Sequence, residues 1–401
     1  MAAKPSLLFL TQRIPYPADK GEKIRYLPIL RHLLQSYSVH LGCLVDDRSD
    51  RVHEATVRAM VSSAHFAHLD RRVARLACLR GLLTGDALSV AYFADAGLAR
   101  WVRRVRREIR PDVVFVCSSN MAPYVLEGPR PARMIVDLCD VDSEKWRAYA
   151  QDRPGPMTWV YRREWRRVAA LEAEIAGIAD WCSFVSPQEA ALFARTLPQA
   201  GTRTGTTAGI RAVSNGVDAG YFDPSLTYEA PYETGPANYV FTGTMDYPPN
   251  VDAAGWFARD ILPQLGADAR FHIVGASPSP AVLALARPGR VLVTGRVADT
   301  RPYMAHATAC VAPLRIARGI QNKVLEAMAM ARPVVVTPQA LEGIAARPGL
   351  EVLQGDTAAA LADCCRKAPE AAAIGLAARA RVLADYTWPE RLRGFDALLA
   401  G

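Results

Sequence analysis

No stretch of this sequence approaches the roughly 18 consecutive apolar residues needed to cross a bilayer. Near its start only Leu7-Leu-Phe-Leu10 is apolar before Thr11-Gln-Arg, too short for the core of a signal peptide. Both shortages predict a chain that stays in the cytosol. The eight cysteines never form a Cys-x-x-Cys pattern, and Cys43, Cys117, Cys139, Cys182 and Cys310 lie inside apolar runs. They read as reduced core residues, which argues against a metal site or a disulfide framework. No Gly-x-Gly-x-x-Gly follows the first predicted strand, so a dehydrogenase fits poorly.

What the sequence does have is bulk and uneven charge. At 401 residues it exceeds one ordinary core and predicts two domains. Hydrophobic residues make up 50% and charged ones 22%, a globular balance. Residues 1–212 hold 31 Lys+Arg against 22 Asp+Glu, and the remainder holds 17 against 18. A basic half suits an anionic partner, either lipid head groups or an acidic acceptor, or is an arginine-rich surface without one. Two basic runs, Arg100–Arg107 and Tyr161–Arg167, interleave Arg with Trp and Val on helical spacing. No DNA-reading motif accompanies them, so nucleic acid is set aside in favour of solubility or anionic lipid.

The most informative stretch runs from Ala312 to Thr337. An apolar strand over Ala309–Leu314 leads into a basic loop with Arg315, Arg318 and Gly319. A helix over Ile320–Ala331 and a buried strand over Pro333–Val336 follow. The loop falls at the carboxyl end of a strand, where open α/β sheets bind ligands. Arg318 and Lys323 crowd a helix start whose partial positive charge disfavours them unless an anion is present. Beside free N–H groups at the Gly319 turn they make a phosphate or diphosphate site, with Glu326 accepting from a diol. Equally open is a solvated basic loop with Glu326 paired to Lys323 on the surface.

Glu326-Ala-Met-Ala329 resembles the donor-binding motif of family 4 (group 1) glycosyltransferases, retaining enzymes of the GT-B fold. In that family a second glutamate stands eight positions earlier; here that position is Arg318. The wording RIARGIQNKVLEAMA is closest to the exosortase/PEP-CTERM-associated sugar transferases of bacterial exopolysaccharide systems. A further match is Asn215-Gly-Val-Asp218-x3-Phe222, which resembles the family's linker between domains. Gly21, between a predicted strand and helix, matches a family glycine beside the donor diphosphate and acceptor. By the same resemblance Gly243 lies next to the donor. Asp246-Tyr-Pro-Pro stands where a basic pair is common, so the diphosphate contacts fall to Arg315, Arg318 and Lys323. Arg296 and Val297, after the strand Val291–Gly295, become neighbours of the base.

Asp140-x-Asp142 directly follows the strand Arg133–Leu138. It fits a metal-binding pair of carboxylates weakly. Asp140 or Asp142 beside the reacting sugar is the role the resemblance implies. Asp142 as a helix cap before Ser143 is the simpler alternative. Trp181–Val185 is expected to close the first sheet and Gln199–Gly209 to be an exposed loop.

The resemblance thus implies an α/β GT-B protein, two doubly wound domains facing across a cleft. Residues 1–212 form the acceptor side, 213–385 the nucleotide-sugar side, and a helix over 386–401 packs back on the first domain. It implies a retaining, metal-independent hexosyl transfer from a UDP- or GDP-linked sugar, with no cofactor. The acceptor is a glycan or lipid-linked hydroxyl, at the inner face of the plasma membrane. Asp140, Arg318 and Lys323 are the candidate catalytic residues. Gly21, Gly243, Arg296, Arg315, Gly319, Ile320, Lys323 and Glu326 are the candidate donor contacts. A nucleotide-sugar 2-epimerase shares the fold but needs acid–base groups that the sequence does not place. The Arg318 departure leaves a catalytically inactive partner subunit as another alternative.

Overall fold

Continuous apolar runs such as Leu7–Leu10 and Val113–Cys117 have side chains buried on both faces, the signature of parallel strands covered by helices. The computed structural model describes the chain except residues 1–3, 19–20, 153–154, 156, 198–207, 234, 236, 318 and 401, and the side chains of 79, 80, 82–84 and 152. It divides into two compact units, Met1–Ser214 with Leu392–Gly401, and Asn215–Arg391. Residues 386–391 therefore group with the second unit.

Among the described residues the first unit carries seven strands: β1 (Ser6–Thr11), β2 (Ser38–Val45), β3 (Ser63–His68), β4 (Val113–Cys117), β5 (Arg133–Cys139), β6 (Trp181–Phe184) and β7 (Gly209–Ala212). All pair in parallel in the order β3-β2-β1-β4-β5-β6-β7, so strand order reverses between β1 and β4. β6 does not close this sheet, contrary to expectation, because β7 pairs with it from Trp181↔Gly209 to Phe184↔Ala212. The short strand was hidden by the Thr- and Gly-rich stretch before it, most of which lies outside the described residues.

An ion pair in the core of this unit was not legible beforehand. Arg25, on the helix Lys23–Ser36, donates two 2.7 Å hydrogen bonds to Asp137 of β5, and both residues are buried. Ser183 on β6 donates to the same carboxylate at 2.7 Å. Burial alone would lower the Arg25 pKa, but the pairing with Asp137 more than reverses this, and the guanidinium stays charged. The helix Trp388–Ala400 seats Phe395 edge-on against Phe115 at 5.2 Å, with the Arg25 guanidinium over its ring.

The second unit has six parallel strands: β8 (Asn238–Thr242), β9 (Arg270–Val274), β10 (Val291–Gly295), β11 (Ala309–Ala312), β12 (Val334–Val336) and β13 (Leu353–Gln354). Their order, β10-β9-β8-β11-β12-β13, reverses between β8 and β11. Among the described residues no helix is long and apolar enough to cross a membrane. All eight cysteines are free.

Candidate active site

In the second unit the reversal of strand order opens a crevice between the carboxyl ends of β8 and β11, the place where doubly wound sheets take ligands. β8 runs out into Gly243, whose φ of +152° favours glycine. A Cβ there would lie 2.8 Å from the Asn250 side-chain nitrogen and 3.0 Å from Lys323 Nζ. Gly275, at the end of β9, is tighter still: a Cβ would sit 1.7 Å from the Gly243 carbonyl oxygen. Two adjoining strand ends are thus held bare, so that backbone closes on backbone and leaves the rim open.

From β11 the chain passes through the loop to the helix Asn322–Ala329, shorter than the expected Ile320–Ala331. Gln321 at its start makes no side-chain cap, the first turn has no acidic residue, and Lys323 sits in that turn. Val324, Leu325 and Met328 are buried, so core packing rather than capping holds the helix. Its opposite face carries the chemistry. Lys323 Nζ donates to Asn250 Oδ1 at 2.6 Å and lies 4.4 Å from the centre of the Phe241 ring. Asn250 donates in turn to the Thr244 carbonyl at 2.9 Å, which fixes its amide with the oxygen toward the lysine.

Burial lowers the Lys323 pKa to about 7, against the upward pull of Glu326. It raises that of Glu326 to about 7, against the opposing pull of Lys323. The Glu326 carboxylate, one turn after Lys323, makes no hydrogen bond or ion pair with any described residue. The surface-pair alternative does not describe this structure: both residues are half-buried, Lys323 bonds to Asn250 in place of Glu326, and the Glu326 carboxylate alone of the two has no hydrogen-bond partner among the described residues. A dianionic ligand with hydroxyl groups would satisfy both.

Of the other candidates, Gly319 has a φ of +64° and Ile320 is nearly buried beneath the loop. Arg315 is already engaged, its guanidinium paired with both oxygens of Asp252 and stacked 5.2 Å from the Trp256 ring. Arg318 lies outside the described residues. Arg296 follows β10 and is exposed, while Val297 packs on the core. The linker motif joins this site directly. Asn215 donates to Asn322 Oδ1 at 3.1 Å, tying the first residue of the motif to the first residue of the helix. Gly216 is needed because a Cβ would meet the Trp388 backbone at 2.7 Å. Asn250 was not legible as a site residue, although its place just after two prolines at a helix start was a usable signal.

In the first unit Gly21 has a φ of +44° with open space around its Cβ position. Asp140 and Asp142 share one cation, Lys145, at 3.3 and 3.1 Å. Ser119, just past β4, donates to Asp142 at 2.9 Å. Asp142 opens the helix Asp142–Asp152.

Residues 236–370, within the second unit, match the family described as glycosyl transferases group 1. No curated protein matches the chain. The fold is shared with sucrose-phosphate synthase from Thermosynechococcus elongatus (TM-score 0.72, 14% identity, 99% of this chain and 98% of that one). It is shared also with Anabaena Alr3699/HepE, solved with UDP and glucose (TM-score 0.67, 14% identity, 99% and 100%). A third is alpha,alpha-trehalose 6-phosphate synthase from Burkholderia multivorans (TM-score 0.66, 13% identity, 99% and 98%). The two parallel-sheet α/β domains are of the GT-B kind.

Proposed function

We propose that the protein is a retaining, metal-independent glycosyltransferase that moves a sugar from a UDP- or GDP-linked donor to an acceptor hydroxyl. The observation that carries this reading is the half-buried Lys323/Glu326 pair, its carboxylate without a hydrogen-bond partner among the described residues, at the switch point of a unit whose residues 236–370 match the group 1 glycosyltransferase model. The Alr3699/HepE structures with UDP and with UDP-glucose, on the same fold, support the choice of ligand class. In this reading the donor diphosphate accepts hydrogen bonds from Lys323 and from the uncapped N–H groups that open Asn322–Ala329. Glu326 accepts from the ribose hydroxyls. The bare rim at Gly243 lets the diphosphate approach the backbone.

As transfer proceeds, the anomeric carbon–oxygen bond to the diphosphate breaks and the acceptor oxygen bonds to the same face. The acceptor proton passes to the departing diphosphate. Lys323 and the helix amides stabilise the charge that builds on the leaving oxygens, the work a divalent ion does in other transferases. On the first unit Asp140, held by Lys145, is the candidate group beside the acceptor. The subgroup resemblance extends the proposal to exopolysaccharide or other cell-surface glycan assembly at the inner face of a bacterial membrane, with a glycan or lipid-linked acceptor.

A thermal-shift panel of UDP, GDP and their sugar conjugates tests the reading, because a ligand that binds only the folded state raises apparent stability by mass action. The expected result is a rise in melting temperature for one base and its sugars. No shift with any of them at millimolar concentration would sink it.

A further inference from the structure

At the other edge of the first unit's sheet, away from its switch point, the carboxyl ends of β2 and β3 border a cavity of about 730 Å³. Two short chain crossings line it. One leaves β2 at Val45 and turns into the 3-10 helix Arg48–His53; the other leaves β3 at His68 and opens the helix Arg71–Thr84. Between them they bring Arg48, Arg51, Arg71 and Arg72 to one concavity.

The carboxylates lining this cavity are already occupied. Asp47 accepts from the backbone N–H and hydroxyl of Ser49 at 3.0 and 2.6 Å. Asp70 caps the second helix, accepting from the Arg72 and Val73 N–H groups at 2.8 and 3.4 Å. Asp46 faces Arg13 at 3.2 Å and Arg71 at 3.5 Å. His68 is paired with Glu54 at 2.7 Å. The side chains of Arg48, Arg51 and Arg72 are exposed, and their guanidinium groups make no hydrogen bond or ion pair with any described residue. The 14-residue helix also has two arginines and no acid in its first turn, against its dipole. Four arginines from two segments line the cavity against three aspartates, so guanidinium groups outnumber carboxylates there.

The geometry points to a binding site for a phosphate monoester or diphosphate in this cavity, held by Arg48, Arg51, Arg71 and Arg72. Planar guanidinium groups with paired donors bind phosphate oxygens bidentately, and several of them around one concavity suit a ligand that carries more than one negative charge. The site lies on the unit proposed to hold the acceptor, and it selects an acceptor, or a membrane lipid, that carries phosphate. It stands on the first unit alone and does not depend on the donor reading.

Calorimetric titration with sodium pyrophosphate tests it, using Lys323→Gln protein so that anion contacts in the second unit are weakened. Adding Arg51→Gln and Arg72→Gln should lower pyrophosphate affinity at least tenfold, with circular dichroism unchanged because both side chains are exposed. Unchanged affinity, or no binding before the arginines are removed, overturns the proposal. Co-sedimentation with phosphatidylcholine vesicles, with and without phosphatidylglycerol, separates the sources. Arginine-dependent binding to the anionic vesicles assigns the phosphate to a lipid. Arginine-dependent binding of pyrophosphate without it assigns a soluble phosphorylated ligand.

Discussion

Lys323 is an amine held by the Asn250 amide and the Phe241 ring, without a carboxylate in ion-pair contact. Its pKa is lowered to about 7 from 10.5. Between those values the unfolded chain binds more protons than the folded one, so stability rises with pH across that window. Below it the full penalty of a buried ammonium is present. Glu326, raised to about 7 from 4.5, acts in the opposite sense and lowers stability as pH rises from 4.5 to 7. Ligand-free protein should therefore show a shallow stability minimum near neutral pH. In Lys323→Gln the recovery above pH 7 should vanish and the melting temperature at pH 7 should hold or rise slightly. The same variant should lose turnover by two or more orders of magnitude, about 3 kcal/mol of transition-state stabilisation. Near-normal initial rates alongside an unchanged melting curve would leave the diphosphate contact without support. Nucleotide affinity of the unaltered protein, read by calorimetry, should weaken from pH 7 to 9 as free Lys323 loses its proton, and this slope should be absent in the variant. Glu326→Ala should weaken donor binding by roughly 1.5–3 kcal/mol, the scale of a hydrogen bond to a charged group. Equal affinity in a folded Glu326→Ala protein would remove the residue from the ribose.

Elements were more legible than their connections. The strands Ser6–Thr11 and Val291–Gly295 could be read to the residue from apolar runs ended by turn signals, the first because a buried parallel strand has few other ways to look, the second, a half-exposed edge strand, because Gly295 ends it. The helix carrying Lys323 was readable as an element but lost two residues at each end, where the Gly319 turn and the strand at Val334 constrain the backbone. Pairings across the fold carry no local signature. Asp252 meeting Arg315, and Asp137 meeting Arg25 from 112 residues away, follow from which strand ends up beside which helix. The second of these joins a helix to a strand through a buried charge. Asp137→Asn should therefore cost about 3–5 kcal/mol by leaving the Arg25 guanidinium buried without its counter-charge. Urea unfolding of the first unit measures this, and a loss within about 0.5 kcal/mol, ordinary for a surface site, would show that the pair bears little on the fold.

On the scale of the whole molecule the chain leaves the first unit at Ser214 and returns to it at Leu392. Phe395, almost wholly buried on the returning helix, is the anchor of that second crossing. Phe395→Ala should destabilise the first unit by about 3–5 kcal/mol while leaving the transition of Asn215–Arg391 in place. Differential scanning calorimetry reads the two units apart, and equal shifts in both would contradict the assignment. The same return imposes an order on synthesis. A ribosome making this chain completes every strand of the first sheet, then the whole of Asn215–Arg391, before the residues that cover Phe115 emerge. At ~5–20 residues per second that interval is on the order of ten to a few tens of seconds. Throughout it the nascent first unit presents an aromatic seat without Phe395, and the second unit is complete only as the interval ends. The later-made unit is thus finished first, and the earlier one lacks Phe395 until then.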